Sequence, residues 1–269
     1  ARLNKIVGPE TFNGSLLLLP KSCRLTEFTL EGISNIQGDF QCKDYSYVKE
    51  FVMPFIRVAG DMTIALNSGS VNTEAEIEFP NLLEIGGTLT LENNKNANNI
   101  TFPSLKKILG SCSVTTSHLK NDIEFTNLES IGTDGADEQI KFEIEATNIL
   151  CPKLKTINGK FDIATSSFMF DMEVDKVSYP NVESISENLS ITCPYSDFGS
   201  NGILSIDFSG LKSVKGISIS GQGDVTDFSS FKYLFENNVL TGESQWSVKE
   251  CGYNPTFQEM KDGKYKLAE

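Results

Sequence analysis

What this 269-residue chain has little of narrows its reading first. It carries one histidine, His118, and its six cysteines (Cys23, Cys42, Cys112, Cys151, Cys193 and Cys251) form no Cys-x-x-Cys pair, so neither a zinc site nor any other metal or cofactor is expected. Its longest apolar run, Leu16 to Leu19, falls far short of the eighteen or so residues that a membrane helix needs. Basic side chains are scarce: 23 against 36 acidic ones give a formal charge of −13. Such a charge repels nucleic-acid phosphates and anionic lipid heads, which argues against both as partners, and it also keeps an exported protein soluble. The chain opens on Ala1 with no charged-then-apolar leader, so a mature or excerpted form is expected, with membrane contact only through an anchor outside these residues.

What is present points to the cell exterior. An even number of widely spaced cysteines suits disulfides in an oxidising compartment, in any of fifteen connectivities. Three sequons, Asn13-Gly-Ser, Asn99-Ile-Thr and Asn188-Leu-Ser, agree with that compartment as glycosylation sites, whereas Asn254-Pro-Thr is excluded by its proline.

Self-similarity is the informative signal. Phe79-Pro-Asn-Leu-Leu-Glu-Ile-Gly-Gly-Thr-Leu-Thr-Leu is echoed by Phe102-Pro-Ser-Leu-Lys-Lys-Ile-Leu-Gly-Ser-Cys-Ser-Val and by Cys151-Pro-Lys-Leu-Lys-Thr-Ile-Asn-Gly-Lys-Phe-Asp-Ile. The frame reads apolar-Pro-x-Leu-x-x-Ile-x-Gly-x-apolar-x-aliphatic. Extended outward, it starts at Leu30, Val52, Phe79, Phe102, Phe125, Cys151, Tyr179 and Phe208, 22 to 29 residues apart. The seventh position is always β-branched, from Ile36 to Val214, and the fourth always apolar, from Ile33 to Leu211. Eight apolar residues in one column arise by chance about once in two thousand, and two such columns hold in register.

The spacing translates into structure. Leu89 and Leu91, or Phe161 and Ile163, lie two apart and point to one side of a strand. The ninth-position glycines, Gly38, Gly60, Gly87, Gly110, Gly159 and Gly216, suit a turn with positive φ. Thr133 and Glu187 break that column, residues Asp134 to Gln139 form an insertion, and the eighth coil is one residue short after Gly216. A single coil cannot bury its apolar side, but stacked coils share one core. The expected fold is therefore all-β: a right-handed parallel β-helix, or leucine-rich-like solenoid, of about eight coils. We divide it into an N-terminal cap (1–29), the solenoid (30–226) and a C-terminal capping helix and tail (227–269). Asp227 is the expected N-cap of that helix, whose Phe228, Phe231, Leu234 and Phe235 share one face. Cys23 and Cys42 flank the first coil and are the favoured disulfide, worth about 3 kcal/mol on the loop-entropy account.

At these residues the frame resembles the receptor L domain, the leucine-rich module of insulin and epidermal growth factor receptors. The Phe-Pro-x-Leu-x-x-Ile-x-Gly coils followed by Phe231-Lys-Tyr-Leu-Phe, Thr241-Gly-Glu-Ser and Cys251 are similar to fungal GPI-anchored cell-wall proteins of the extracellular-mutant and sporulation-specific family, over roughly Leu30 to Cys251. That resemblance implies a glycosylated ectodomain at the cell surface or in the cell wall, with no catalytic residues to carry over. Residues 252–269 hold neither the family's Ser/Thr-rich stalk nor its hydrophobic tail. Leu89-Thr-Leu-Glu-Asn-Asn94 also fits the Leu-x-Leu-x-x-Asn core of leucine-rich repeats.

Several residues could carry chemistry. Asp171, Glu173 and Asp175 alternate with Phe170, Met172 and Val174, placing three carboxylates on one side of a strand; a solvated face is the ordinary explanation. Asp134, Asp137 and Glu138 fall in the fifth coil's insertion, and His118 in an inter-coil loop without a marked partner. Gly221-Gln-Gly223 lacks the third glycine of a nucleotide loop and reads as a coil-ending turn. Phe168 and Phe170, with Tyr45, Tyr47, Tyr195 and Phe198, lie in connections where rings can stack on sugars or anchor a protein. The leading expectation is a secreted or surface-anchored, non-enzymatic glycoprotein that builds the cell wall or binds polysaccharide or an extracellular protein. A ligand-binding L-domain ectodomain and a carbohydrate-active β-helix enzyme are the alternatives.

Overall fold

A computed structural model describes residues 5–18, 27–43, 50–65, 75–92, 94, 97–115, 123–135, 141–144, 149–164, 176–193, 205–223 and 225–268. The chain is a parallel solenoid. Successive coils supply a seven-stranded sheet (Lys5–Val7 to Ile149–Leu150), an eight-stranded sheet of two-residue strands (Thr11–Phe12 to Ser184–Ile185) and a ten-stranded sheet (Leu16–Leu18 to Trp246–Cys251). We call these the first, second and third sheets. Every strand pairing in them is parallel, and equivalent frame positions meet: Ile85 lies between Val58 and Ile108, and Leu89 between Met62 and Cys112. Lys176–Ser178 and Ser205–Asp207 form a separate two-stranded sheet.

The two-residue alternation does what it predicts. Leu89 and Leu91 are buried while Thr90 is half-exposed, and Phe161, Ile163 and Lys160 follow the same rule. Each in-register stack therefore buries one unbroken apolar column, with roughly 1.5–3 kcal/mol gained per large side chain removed from water. Phe79, Phe102 and Phe125 form one such column, their rings stacked at 5.1 and 5.0 Å; Phe142 and Phe161 stack at 4.7 Å in another.

Five local expectations are corrected. Residues 5–18, read as a cap, pair in register with the next coil in all three sheets, with Ile6, Phe12 and Leu16 packed on the core. The second coil begins at Met53 rather than Val52, because Met53 is fully buried and the coil is one residue short before Phe55. The turn glycines Gly38, Gly60, Gly87 and Gly110 do not have positive φ. They stack backbone on backbone instead: a Cβ on Gly110 would lie 2.6 Å from the Gly87 carbonyl carbon, and one on Gly38 2.7 Å from that of Gly14. Finally, Gly216 stands in register with Asn188 at the tenth position, so the shortened turn moves it out onto the sheet face. Gly221 and Gly223 lie within the strand Gly216–Gly223, not in a turn.

Positions left open by the frame also lock the coils. At the third position, Ser104 Oγ and Asn127 Nδ2 each donate 2.6 Å to the proline carbonyl one coil earlier, on Pro80 and Pro103, and Asn181 Nδ2 donates 2.8 Å to Pro152. Asn94, the one buried polar residue among those described, donates to the Ile64 carbonyl.

At the C-terminal end Asp227 accepts from the Ser229 N–H, a 3-10 turn (Ser229–Phe231) runs into α1 (Lys232–Glu236), and Phe228, Phe231, Leu234 and Phe235 are buried as expected. Trp246 packs edge-on against Phe228, Phe231 and Phe235 and donates Nε1–H to the Pro255 carbonyl. A second short helix, α2 (Phe257–Lys261), is held by a Thr256–Glu259 capping box.

Candidate functional site

Outward-facing residues of the third sheet form straight columns, because in-register pairing repeats each position about every 4.8 Å. In the N-terminal half the tenth position holds oxygen-bearing side chains that turn back on the fold. Ser15 Oγ accepts from the Asp39 N–H, Asp39 Oδ1 from Asp61, and Asp61 Oδ1 from Thr88 at 2.7 Å. Ser111 Oγ takes the Lys141 N–H in the same way. From Lys141 onward the column changes: Lys141 pairs in register with Lys160, Asn188 follows, and Gly216 ends it without a side chain.

A groove of about 420 Å³ lies on this part of the sheet face. Its long sides are the Lys141, Lys160 and Asn188 column and the neighbouring column of Asp162, Ser190, Ser218 and Ser247. Its end wall is the 3-10 turn Glu243–Gln245, which contributes Ser244 and is tied down by Gln245 Nε2 donating to the Lys215 carbonyl. The volume lies within the range of small-molecule sites. No aromatic ring lines it; the polar groups are ammonium, carboxylate, amide and hydroxyl.

In one column the stack alternates signs: Lys106, Glu129, Lys155, Glu183 and Lys212 follow one another on successive coils, each linked to the next by a backbone hydrogen bond. Lys212 donates 2.9 Å to Glu183, whose carboxyl its hydrogen bond and charge hold below the usual range. Arg57 pairs likewise with Glu84 at 2.9 Å, with Lys107 next in register. Lys141 and Lys160 instead stack like on like, and among the described residues neither makes an ion pair.

The residues singled out from the sequence distribute as follows. Asn13 and Asn188 are exposed, Asn188 inside the groove; Asn99 is half-buried on the first sheet, its Nδ2 donating 2.8 Å to Glu76. Phe168, Phe170, Asp171, Glu173 and Asp175 lie outside the described residues, as do Tyr45, Tyr47, Tyr195, Phe198, His118, Asp137, Glu138 and Cys23. Asp134 is exposed and accepts from Asn158 Nδ2.

The disulfide expectation is corrected at three positions: Cys42, Cys112 and Cys151 carry free thiols facing the core. The cause is their frame position, since each occupies an inward-pointing site of a strand or coil start and behaves as a small hydrophobe. Burial pushes all three thiols well up, Cys112 adding to the effect on Cys151. Among the described residues no group of histidine, cysteine or carboxylate side chains could hold a metal.

The groove itself was missed from sequence because its decisive features, a like-charge lysine pair and a glycine displaced by one position, appear only once register is known. Compared with family models, curated proteins and solved structures, the chain finds no match.

Proposed function

We propose that this chain is a non-enzymatic glycoprotein of the cell exterior, secreted or surface-anchored, whose solenoid presents the third sheet to extracellular polysaccharide. The groove carries this reading. Its ammonium, carboxylate, amide and hydroxyl groups are spaced along straight columns and suit the hydroxyls of an extended sugar chain. The Phe-Pro-x-Leu-x-x-Ile-x-Gly coils, similar to those of fungal GPI-anchored cell-wall proteins, and the exposed sequon residues Asn13 and Asn188 support an exterior location. The thiols of Cys42, Cys112 and Cys151 are compatible with it, because thiols buried in the core are shielded from oxidant.

The test is co-sedimentation of the full chain, expressed through the secretory pathway, with a set of insoluble and cross-linked cell-wall polysaccharides, alongside glycopeptide mass spectrometry. Retention on at least one polysaccharide, with glycan on Asn13, supports the reading. Retention on none overturns it.

A further inference from the structure

We infer that the groove takes an anionic polysaccharide, its acid groups seated on the Lys141–Lys160 pair and its hydroxyls on Asp162 and the serine column beside it. This rests on the polysaccharide reading above and adds the chemical class of the sugar.

The lysines carry the argument. The two lysines stand on adjacent strands, which lie about 4.8 Å apart, and like charges stacked in this way are destabilising wherever no counter-charge intervenes. The alternating column from Lys106 to Lys212 avoids that cost rung by rung, and the carboxylate column from Asp39 to Asp61 spends its oxygens on backbone N–H groups. At Lys141 and Lys160 neither device operates, although the protein has 36 acidic residues from which a partner could come. A carboxylate or phosphate placed between the two ammonium groups would relieve the repulsion and make two charge-assisted hydrogen bonds.

Asp162 lies in the next column, so ammonium groups face the groove from one side and carboxylate and hydroxyl acceptors from the other. A sugar acid offers one anion per unit and hydroxyls elsewhere, matching the lysines on one side and Asp162, Ser190 and Ser218 on the other. A glycan on Asn188 would cover the lysine pair, so the open groove belongs to molecules unmodified at that residue.

The experiment measures binding of the secreted full chain carrying Asn188→Gln, which removes the sequon, to polygalacturonate, a phosphorylated mannan and a neutral mannan. It is repeated with Lys141→Gln/Lys160→Gln and with Lys106→Gln/Lys155→Gln, which removes the same charge elsewhere; circular dichroism confirms that each variant is folded. The expected result is salt-sensitive binding to an acidic polymer, lost roughly tenfold per groove lysine and unchanged in the second double variant. Preference for polygalacturonate or for the phosphorylated mannan identifies the anion as carboxylate or phosphate. Equal binding to neutral mannan, or equal loss in both double variants, overturns the inference and leaves polysaccharide binding standing. Binding to none of the three polymers overturns the inference, while the cell-wall panel separately decides the broader reading.

Discussion

Cys112 and Cys151 sit on either side of the coil that puts phenylalanine at both of its largest core positions, Phe125 and Phe142. Cys112 is in register with Phe142 on the third sheet, and Cys151 follows Phe125 in the coil-start column. Each cysteine thus fills the smaller space left where a neighbouring coil has already placed a ring, with Phe102 stacked on Phe125 and Phe161 on Phe142. Cys112→Phe should overpack this layer and cost about 1–3 kcal/mol, whereas Cys112→Ala should cost about 1 kcal/mol. Urea midpoints decide it: a phenylalanine variant as stable as the parent would remove volume matching as the reason for these thiols.

The same burial sets an alkaline limit. Desolvation raises the Cys42, Cys112 and Cys151 thiols and the Tyr179 phenol, with Cys151 and Cys112 adding to the effect on Tyr179. In the unfolded chain thiols ionise near about 8.5 and phenols near about 10, so the unfolded state releases protons first as pH rises. The contribution to stability is therefore complete below about pH 8.5 and is lost as pH climbs toward the folded-state values. Melting temperature should hold steady from about pH 6 to 8 and fall above about 8.5, less steeply at first in Cys112→Ala/Cys151→Ala. A melting temperature that rises over that alkaline range would contradict the burial of these groups.

Most of the architecture is legible in the sequence, because a parallel stack turns a repeated letter into a column and a column is what a core requires. Position seven from Ile36 to Ile185 is the clearest instance: one frame letter becomes an unbroken row of the second sheet. The N-terminal coil escaped because Pro9 and Phe12 fill positions where the other coils show leucine and a β-branched residue, although Gly14, Leu16 and Leu18 keep the frame. Gly216 was misplaced by one position for the reason that makes it useful: a shortened turn is invisible until the strands are aligned. The groove depends on what stands beside what across coils, information that a linear pattern of apolar residues does not contain.

Close backbone approach, rather than φ, gives the turn glycines their role, and two alanine substitutions separate the effects. In Gly87→Ala the new Cβ would lie 2.2 Å from Asp61 Oδ1 and 2.8 Å from the Gly60 carbonyl carbon, so neighbouring coils must part, at about 2–4 kcal/mol. Gly135 has φ +73° and nothing within 4 Å, so Gly135→Ala should cost only the left-handed backbone penalty of roughly 1–2 kcal/mol. Chemical denaturation of the two variants should rank Gly87→Ala the more damaging; the reverse order would return the glycine column to a conformational explanation.

Third-position amides should matter beyond their surface location. Asn127 Nδ2 bonds the Pro103 carbonyl at 2.6 Å while its Oδ1 accepts from Lys153, so one side chain ties three consecutive coils. Asn127→Ala leaves the half-buried carbonyl without its donor and should cost about 1–2 kcal/mol, with Asn127→Ser recovering part of it, as Ser104 does one coil earlier. Equal stability of the alanine and serine variants would show that the carbonyl is satisfied by water.

The three sequons should be used unequally, because glycan attaches to the amide nitrogen and that atom is committed at only one of the three. Asn99 Nδ2 donates to Glu76 Oε2 on the first sheet, so a glycan there must displace the carboxylate and stand between adjacent strands. Asn13 follows the strand Thr11–Phe12 and is exposed; Asn188 is exposed at the start of the strand Asn188–Cys193. In protein from a secreting host, glycopeptide mass spectrometry should find Asn13 occupied well above Asn99. Glu76→Ala should raise occupancy at Asn99 without altering Asn13, since only the first site loses a competitor. Full occupancy of Asn99 beside a bare Asn13 would mean that modification is complete before this stretch of the first sheet forms, and that the folded geometry has no say in which sequon is used.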